Sequence, residues 1–245
     1  MTLPSLIASD AVCAWYAQTS DLAAEPRLAR ALTWLQPAER VRYDRYRDPN
    51  DRLMFLLGRV MARWLVGRAI GVPPTAWRWD EGPHGCPEIG APASPLRFNL
   101  AHSAGLVVCA LASGRDVGVD VESLTRRPTD PALVHRYCSP AEVADIEAQP
   151  PDARQRRFLV YWTLKEAYLK ARGLGISVRL TDVGFSLEDD GAQIAFHGSL
   201  AGTDTRWAFH LTQPTEGHLV AVAASRADGG PPHVTIERLL PEMLD

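Results

Sequence analysis

Gly118-Val119-Asp120-Val121-Glu122 is the stretch around which the rest of the chain falls into order. Valine recurs at every second position from Val117 to Val121, and side chains alternate with period two only along a strand. In that register Val117, Val119 and Val121 enter a core, while Asp120 and Glu122 share the other face. Forty residues after Glu122 begins Trp162-Thr163-Leu164-Lys165-Glu166-Ala167-Tyr168-Leu169-Lys170. As a helix, it puts Trp162, Glu166 and Lys170 on one stripe, at i, i+4 and i+8. A D-x-E pair on a strand is most often a solvated face, and a Glu–Lys pair four apart on a helix is a routine surface pair. Taken together, three carboxylates and an ammonium that can converge suit a hard divalent cation and a polyphosphate substrate.

Outward from these stretches, the pattern gives an α+β chain. The spacing predicts strand over 11–16, helix over 24–35 and another helix start at Pro37-Ala38-Glu39-Arg40. Asp48-Pro49-Asn50-Asp51 supplies an N-cap for a helix running to Ile70, with Phe55, Leu56, Val60, Trp64 and Leu65 on its buried stripe. Residues 81–97 are rich in Gly and Pro and read as a loop, followed by strand over 106–112. Ser113-Gly114 then signals a hairpin joining that strand to Val117–Glu122. Short helices over 131–137 and 140–149 precede the long helix 152–172, with Ser139 and Glu142 as a capping box. The remainder alternates as strands, with a hairpin turn at Asp189-Asp190-Gly191. The chain divides into two similar halves, 1–114 and 115–245.

The 245 residues allow one large domain or two small ones. A formal net charge of -3 does not indicate a broad nucleic-acid-binding surface. Cys13, Cys86, Cys109 and Cys138 are scattered, with neither a C-x-x-C pair nor zinc-ligand spacing, as free thiols in a reducing cytoplasm would be. The longest apolar run, Leu106–Ala112, is far short of a membrane span. No P-loop, dinucleotide fingerprint or H-E-x-x-H is present, and no Ser-His-Asp set stands out. Arg40, Arg42, Arg45, Arg47 and Arg52 form a basic cluster, read either as a solvated helix face or as a clamp for a phosphomonoester. His102 could be structural or could donate to a phosphate, and the loop Gly82–Pro87 could bring backbone N–H groups to phosphate oxygens.

Gly118–Glu122 and Trp162–Lys170 resemble the two signatures of the surfactin-type 4'-phosphopantetheinyl transferases. Phe98-Asn99-Leu100-Ala101-His102-Ser103 is similar to a further family motif, His84-Gly85-Cys86-Pro87 to its G-K-P loop, and 51–71 to its arginine-bearing helix. The resemblance runs in order over roughly 35–190. It implies two pseudo-symmetric α/β halves with coenzyme A in the cleft between them. It implies transfer of 4'-phosphopantetheine to a serine of an apo acyl or peptidyl carrier protein, of fatty-acid, polyketide or nonribosomal-peptide type. Adenosine 3',5'-bisphosphate is then the released product. By the same resemblance Asp120, Glu122 and Glu166 hold Mg2+, and Glu166, Lys170 and Asp120 are the catalytic residues. Coenzyme A falls to Arg42, Arg52, His84, Gly85, Asn99, His102, Lys165 and Lys170. The expected protein is a cytoplasmic monomer that engages neither nucleic acid nor membrane. The sequence departs from the family pattern at Cys86, Ala101 and Met54, where lysine, serine and arginine are usual. These departures suggest a second reading, a catalytically weak homologue that binds the carrier without efficient transfer. A third is an α+β protein with coincidental acidic clusters.

Overall fold

The computed structural model describes residues 11–23, 26–82, 87–175, 178–188, 191–203, 205–226 and 230–244. The chain opens with β1 (Ala11–Gln18), the short helices α1 (Thr19–Leu22) and α2 (Pro26–Arg30), and a 3-10 turn at Ala31–Trp34. Next come α3 (Pro37–Arg45), α4 (Pro49–Ile70), the small hairpin of β2 (Arg78–Glu81) and β3 (Pro87–Ala91), and the larger hairpin of β4 (Leu96–Ser103) and β5 (Leu106–Ser113). The second half has β6 (Val117–Ser123), α5 (Pro131–Tyr137), α6 (Pro140–Ala148) and α7 (Pro151–Arg172). Then follow the small hairpin of β7 (Val183–Glu188) and β8 (Gly191–Phe196), the larger one of β9 (Trp207–Thr215) and β10 (His218–Ser225), and finally β11 (His233–Arg238).

Each half therefore runs strand, long helix, small hairpin, large hairpin. In each, the first strand pairs antiparallel with the last: β1 with β5, β6 with β10. The sheets have the orders β11-β1-β5-β4 and β6-β10-β9, which is the expected pseudo-symmetry made concrete. The long helices match as well. Both span 22 residues, carry Pro at the first position and stop at a left-handed glycine, Gly71 (φ 74°) or Gly173 (φ 60°). Asp48 caps α4 by accepting from the N–H groups of Asn50 (2.7 Å) and Asp51 (3.1 Å).

Strand alternation explains the layering. Val107, Cys109 and Leu111 of β5 pack beneath α4 with Leu57, Met61 and Trp64, whereas Leu106, Val108, Ala110 and Ala112 face the other sheet. Leu219, Ala221 and Ala223 of β10 pack beneath α7, whereas Val220, Val222 and Ala224 join Val117, Val119 and Val121 between the sheets. The valines of β6 thus enter a core shared by both halves, and this register turns Gly118, Asp120 and Glu122 toward α7.

Three expectations are corrected. The stretch 81–97 is not a continuous loop, since Pro87–Ala91 pairs with β2. The strand 106–112 does not form a hairpin with Val117–Glu122. It pairs instead with β4, through the two-residue turn Ala104-Gly105, both with positive φ (44° and 86°) as a primed turn requires. The helix expected over 24–35 is interrupted: α2 ends at Arg30 and a 3-10 turn follows. Of the turn at 189–191, residues 189 and 190 lie outside the described residues, although β7 and β8 do pair antiparallel. β11 lies parallel to β1, so the sheet of the first half takes its outer strand from the end of the second.

Candidate active site

β6 and α7 are held close by small residues. Gly118 lies directly against Ala167 and Ala171 of α7, with no room for even a methyl group. α7 runs back along β6, which brings its Trp162–Glu166–Lys170 stripe over the acidic face. Lys170 Nζ donates to Asp120 Oδ1 at 2.6 Å. Trp162 Nε1 donates to Glu122 Oε1 at 2.7 Å, and Arg126 Nη1 to Glu122 Oε2 at 2.9 Å. Asp120 Oδ2 and Glu166 Oε1 are buried without a hydrogen-bond partner.

The electrostatics follow from that crowding. Burial raises the Asp120 carboxyl to about 6; Lys170 offsets this in part, and the charges of Glu122 and Glu166 add to it. Glu166 is also raised, first by burial, with Lys170 opposing and Glu122 reinforcing. Three carboxylates held together, two of them resisting ionisation, form a site short of positive charge.

β4 connects this cluster to the first half. The β6 Val119 N–H donates to Asn99 Oδ1 at 3.1 Å, stitching the edge strands of the two sheets. Three residues on, His102 stands between the halves. The residue stays exposed, but partial desolvation by the surrounding protein lowers its pKa first, and the positive charges of Lys170 and Arg42 lower it further. A cavity of about 210 Å³ lies on one side of β4, lined by Arg42, Tyr46, Met54, Arg59, Trp79 and His102 among others. A second, of about 260 Å³, lies on the other, lined by Arg97, Asn99, Asp116, Lys170 and Arg172 among others. Pro87 borders both. A larger cavity of about 790 Å³, bounded by His135, Cys138 and His197, lies beneath α5 and α6, away from the carboxylates.

A model of the 4'-phosphopantetheinyl transferase superfamily matches residues 116–223. A phosphopantetheinyl transferase of Thraustochytrium is 32% identical over 226 residues, covering 86% of this chain and 78% of that protein. The chain belongs to the 4'-phosphopantetheinyl transferase superfamily. A transferase of that name from Bacillus subtilis is 30% identical, over 66% of this chain and 70% of its own length. The 4'-phosphopantetheinyl transferase HetI of Nostoc is 37% identical over 62% of this chain; the match spans 65% of HetI, less than two thirds. The holo-[acyl-carrier-protein] synthase of Thermotoga maritima overlays with a TM-score of 0.39 at 23% identity, over 45% of this chain and 62% of that one.

Within this superfamily member, the residues expected at the site separate into two groups. Asp120, Glu122, Glu166 and Lys170 come together, with His102 and Arg42 across the cleft. Lys165 turns the other way. It is 1% exposed, and its Nζ contacts Glu142 Oε2 (2.6 Å) and the carbonyls of Tyr137 (2.8 Å) and Leu180 (2.9 Å) inside the second half. Arg52 donates to the Tyr46 carbonyl at 2.5 Å and does not line the cavity beside Arg42. Asn99 accepts from the Val119 N–H through Oδ1 and lines the second cavity with Lys170. His84, Gly85 and Cys86 lie outside the described residues. Ala101 is 4% exposed, with its methyl in the core between the sheets, and Met54 lines the cavity.

Sequence reasoning missed Arg59, whose guanidinium lies 3.8 Å from the centre of the Trp79 ring in the cavity wall. It also missed Glu39, buried between Arg63 (2.7 Å) and Arg59 (3.6 Å), which ties α3 to α4 and so aims Arg42. The shared face of Arg52, Arg59 and Arg63 was the available signal.

Proposed function

We propose that the chain is a Mg2+-dependent transferase moving 4'-phosphopantetheine from coenzyme A to a serine hydroxyl of an apo acyl or peptidyl carrier protein. The observation that carries this is the Asp120–Glu122–Glu166 cluster with Lys170 at its edge, facing a cleft that holds His102 and Arg42. Among the described residues no group of three His, Cys, Asp or Glu side chains stands ready to hold a metal ion. The donors nevertheless fit a hard cation: all are carboxylates, and two keep a buried oxygen unpartnered. Asp120, Glu122 and Glu166 would hold Mg2+, which when bound neutralises pyrophosphate charge.

The remaining steps belong to side chains. Arg42 and His102 bind the 3'-phosphate of coenzyme A, the guanidinium by paired N–H donors and the imidazole by one. Lys170 exchanges Asp120 for the pyrophosphate, where its ammonium stabilises charge on the leaving oxygen. Glu166 takes the proton of the carrier serine. The serine Oγ bonds to the phosphorus on the pantetheine side while the bond to the bridging oxygen breaks. Adenosine 3',5'-bisphosphate leaves. The carrier brings the nucleophile, so the enzyme needs none of its own.

In this reading the protein works as a monomer in the cytoplasm. Among the described residues no helix is long and apolar enough to cross a membrane. The test is the intact mass of apo carriers of fatty-acid, polyketide and nonribosomal-peptide type after incubation with the protein, coenzyme A and Mg2+. A gain of one phosphopantetheine, abolished by EDTA, is expected. Carrier binding without any gain would favour the weak homologue and overturn the transfer reading.

A further inference from the structure

We propose that Arg126 is a displaceable counter-ion of Glu122, occupying one oxygen of that carboxylate until a divalent cation takes it over. The inference rests on the reading of Asp120, Glu122 and Glu166 as cation ligands.

Both oxygens of Glu122 are engaged, by donors of opposite character. Trp162, on Oε1, is uncharged, and its ring is wedged between Tyr137 (centroids 5.1 Å apart) and Phe158 (6.2 Å). An indole N–H does not repel a cation, so this bond persists and fixes the carboxylate plane. Arg126, on Oε2, carries a charge it cannot lose, and its side chain is 40% exposed. It sits on the turn after β6, where the Arg126 N–H reaches the Ser123 carbonyl (3.4 Å) and the Thr125 N–H reaches Ser123 Oγ (3.2 Å). A guanidinium and a dication on one oxygen repel each other. The exposed side chain is the one that can leave for water, since an exposed ion pair contributes little.

The incomplete cation site is the second observation. Asp120 and Glu166 each keep a buried oxygen without a partner, yet no ready three-ligand group exists among the described residues. Glu122 is the ligand whose oxygens are both taken. Lys170 differs, because its contact with Asp120 Oδ1 leaves Oδ2 available. Arg126 therefore lowers cation affinity in the resting protein and becomes a released surface charge in the loaded one.

The probe is Mn2+, titrated into the full chain without coenzyme A and followed by electron paramagnetic resonance. Arg126→Ala should bind Mn2+ roughly two- to five-fold more tightly than wild type, the worth of an exposed ion pair. Arg127→Ala removes the same charge from the next, exposed position and should bind with close to wild-type affinity. In a Glu122→Gln background, Arg126→Ala should add nothing. An unchanged affinity for Arg126→Ala, or an equal gain from Arg127→Ala, overturns the inference while leaving the cation site standing. Absence of Mn2+ binding in wild type and every variant overturns the cation site itself, and this inference with it.

Discussion

Replacing Gly118 with alanine should disable the protein by moving a helix rather than by removing a reactive group. A methyl at Gly118 would stand 2.1 Å from the Ala167 carbonyl oxygen, 2.4 Å from the Ala171 nitrogen and 2.9 Å from the Ala171 Cα. All three are backbone atoms of α7 and cannot rotate away. Ordinary contact begins at 3.4 Å, so α7 must retreat from β6 by roughly 1 Å. Overpacking of this kind costs about 1–3 kcal/mol. For a chain of this size that lowers Tm by about 2–12 °C. Glu166 and Lys170 each neighbour a contacting alanine, so they are carried off Asp120, and a 1 Å misplacement can cost about 10²-fold in rate. The assay is kcat for carrier modification by intact mass, measured well below Tm, beside a thermal melt. Gly58→Ala on α4 is the control for stability. Its methyl would lie 3.7 Å from Val107 and 4.0 Å from Leu100, ordinary contact, so the melt should be unchanged or higher by up to about 1 kcal/mol. Wild-type kcat in Gly118→Ala would refute the claim that this contact sets the register of α7 on β6.

Asp120→Asn should abolish transfer yet stabilise the metal-free fold above pH 6. A carboxyl at about 6 when folded and about 3.9 when unfolded favours the folded state below pH 4, and that stability is lost as pH rises to 6. Urea unfolding in EDTA at pH 7.5 should show a gain of up to about 3 kcal/mol for the variant; an unchanged pH slope between wild type and variant would count against it. Lys165→Met leaves Glu142 as an unpaired buried charge, a loss of about 3–5 kcal/mol, or a Tm lower by about 6–20 °C. Coenzyme A affinity of the folded variant should stay near wild type, and a large loss of affinity without a loss of Tm would return Lys165 to the binding site. Arg42→Ala should raise KM for coenzyme A by about 10- to 100-fold, the worth of a charged hydrogen bond, and leave KM for 3'-dephospho-coenzyme A unaltered. Equal effects on both would place Arg42 elsewhere.

The carboxylate face of β6 and the stripe of α7 were legible because each depends only on local periodicity. Where those faces point was not. Helix spacing separates Lys165 from Glu166 by about 100° but cannot say which of them meets the cleft and which meets Glu142. The signal for Glu142 was a capping box, and it does form: Ser139 N donates to Glu142 Oε2 at 2.7 Å. The same side chain also accepts from Lys165 and from Phe185 N (2.9 Å), contacts that no local pattern encodes. β3 was hidden by Pro87 and Gly90, residues poor in strand propensity that an edge hairpin tolerates. The hairpin assigned to 113–114 failed because β5 finds one partner in β1, far upstream, and the other in β4 across a turn that lacks the usual Asn-Gly signal. Arg126 lies past the end of β6, where alternation stops and a turn decides direction.

The pairing of β11 with β1 governs the order in which this protein can be built. Val12 lies opposite Val234, so one strand waits for a partner made about 220 residues later in synthesis. Contacts of such separation close late and slow folding. The sheet of the first half therefore gains its outer strand only after residues 233–238 have been made. Severing the chain between 114 and 115 would part β1 from β11, and His102 and Arg42 from the carboxylates. Two such fragments could restore the whole fold only if the second laid β11 back onto the edge of the first.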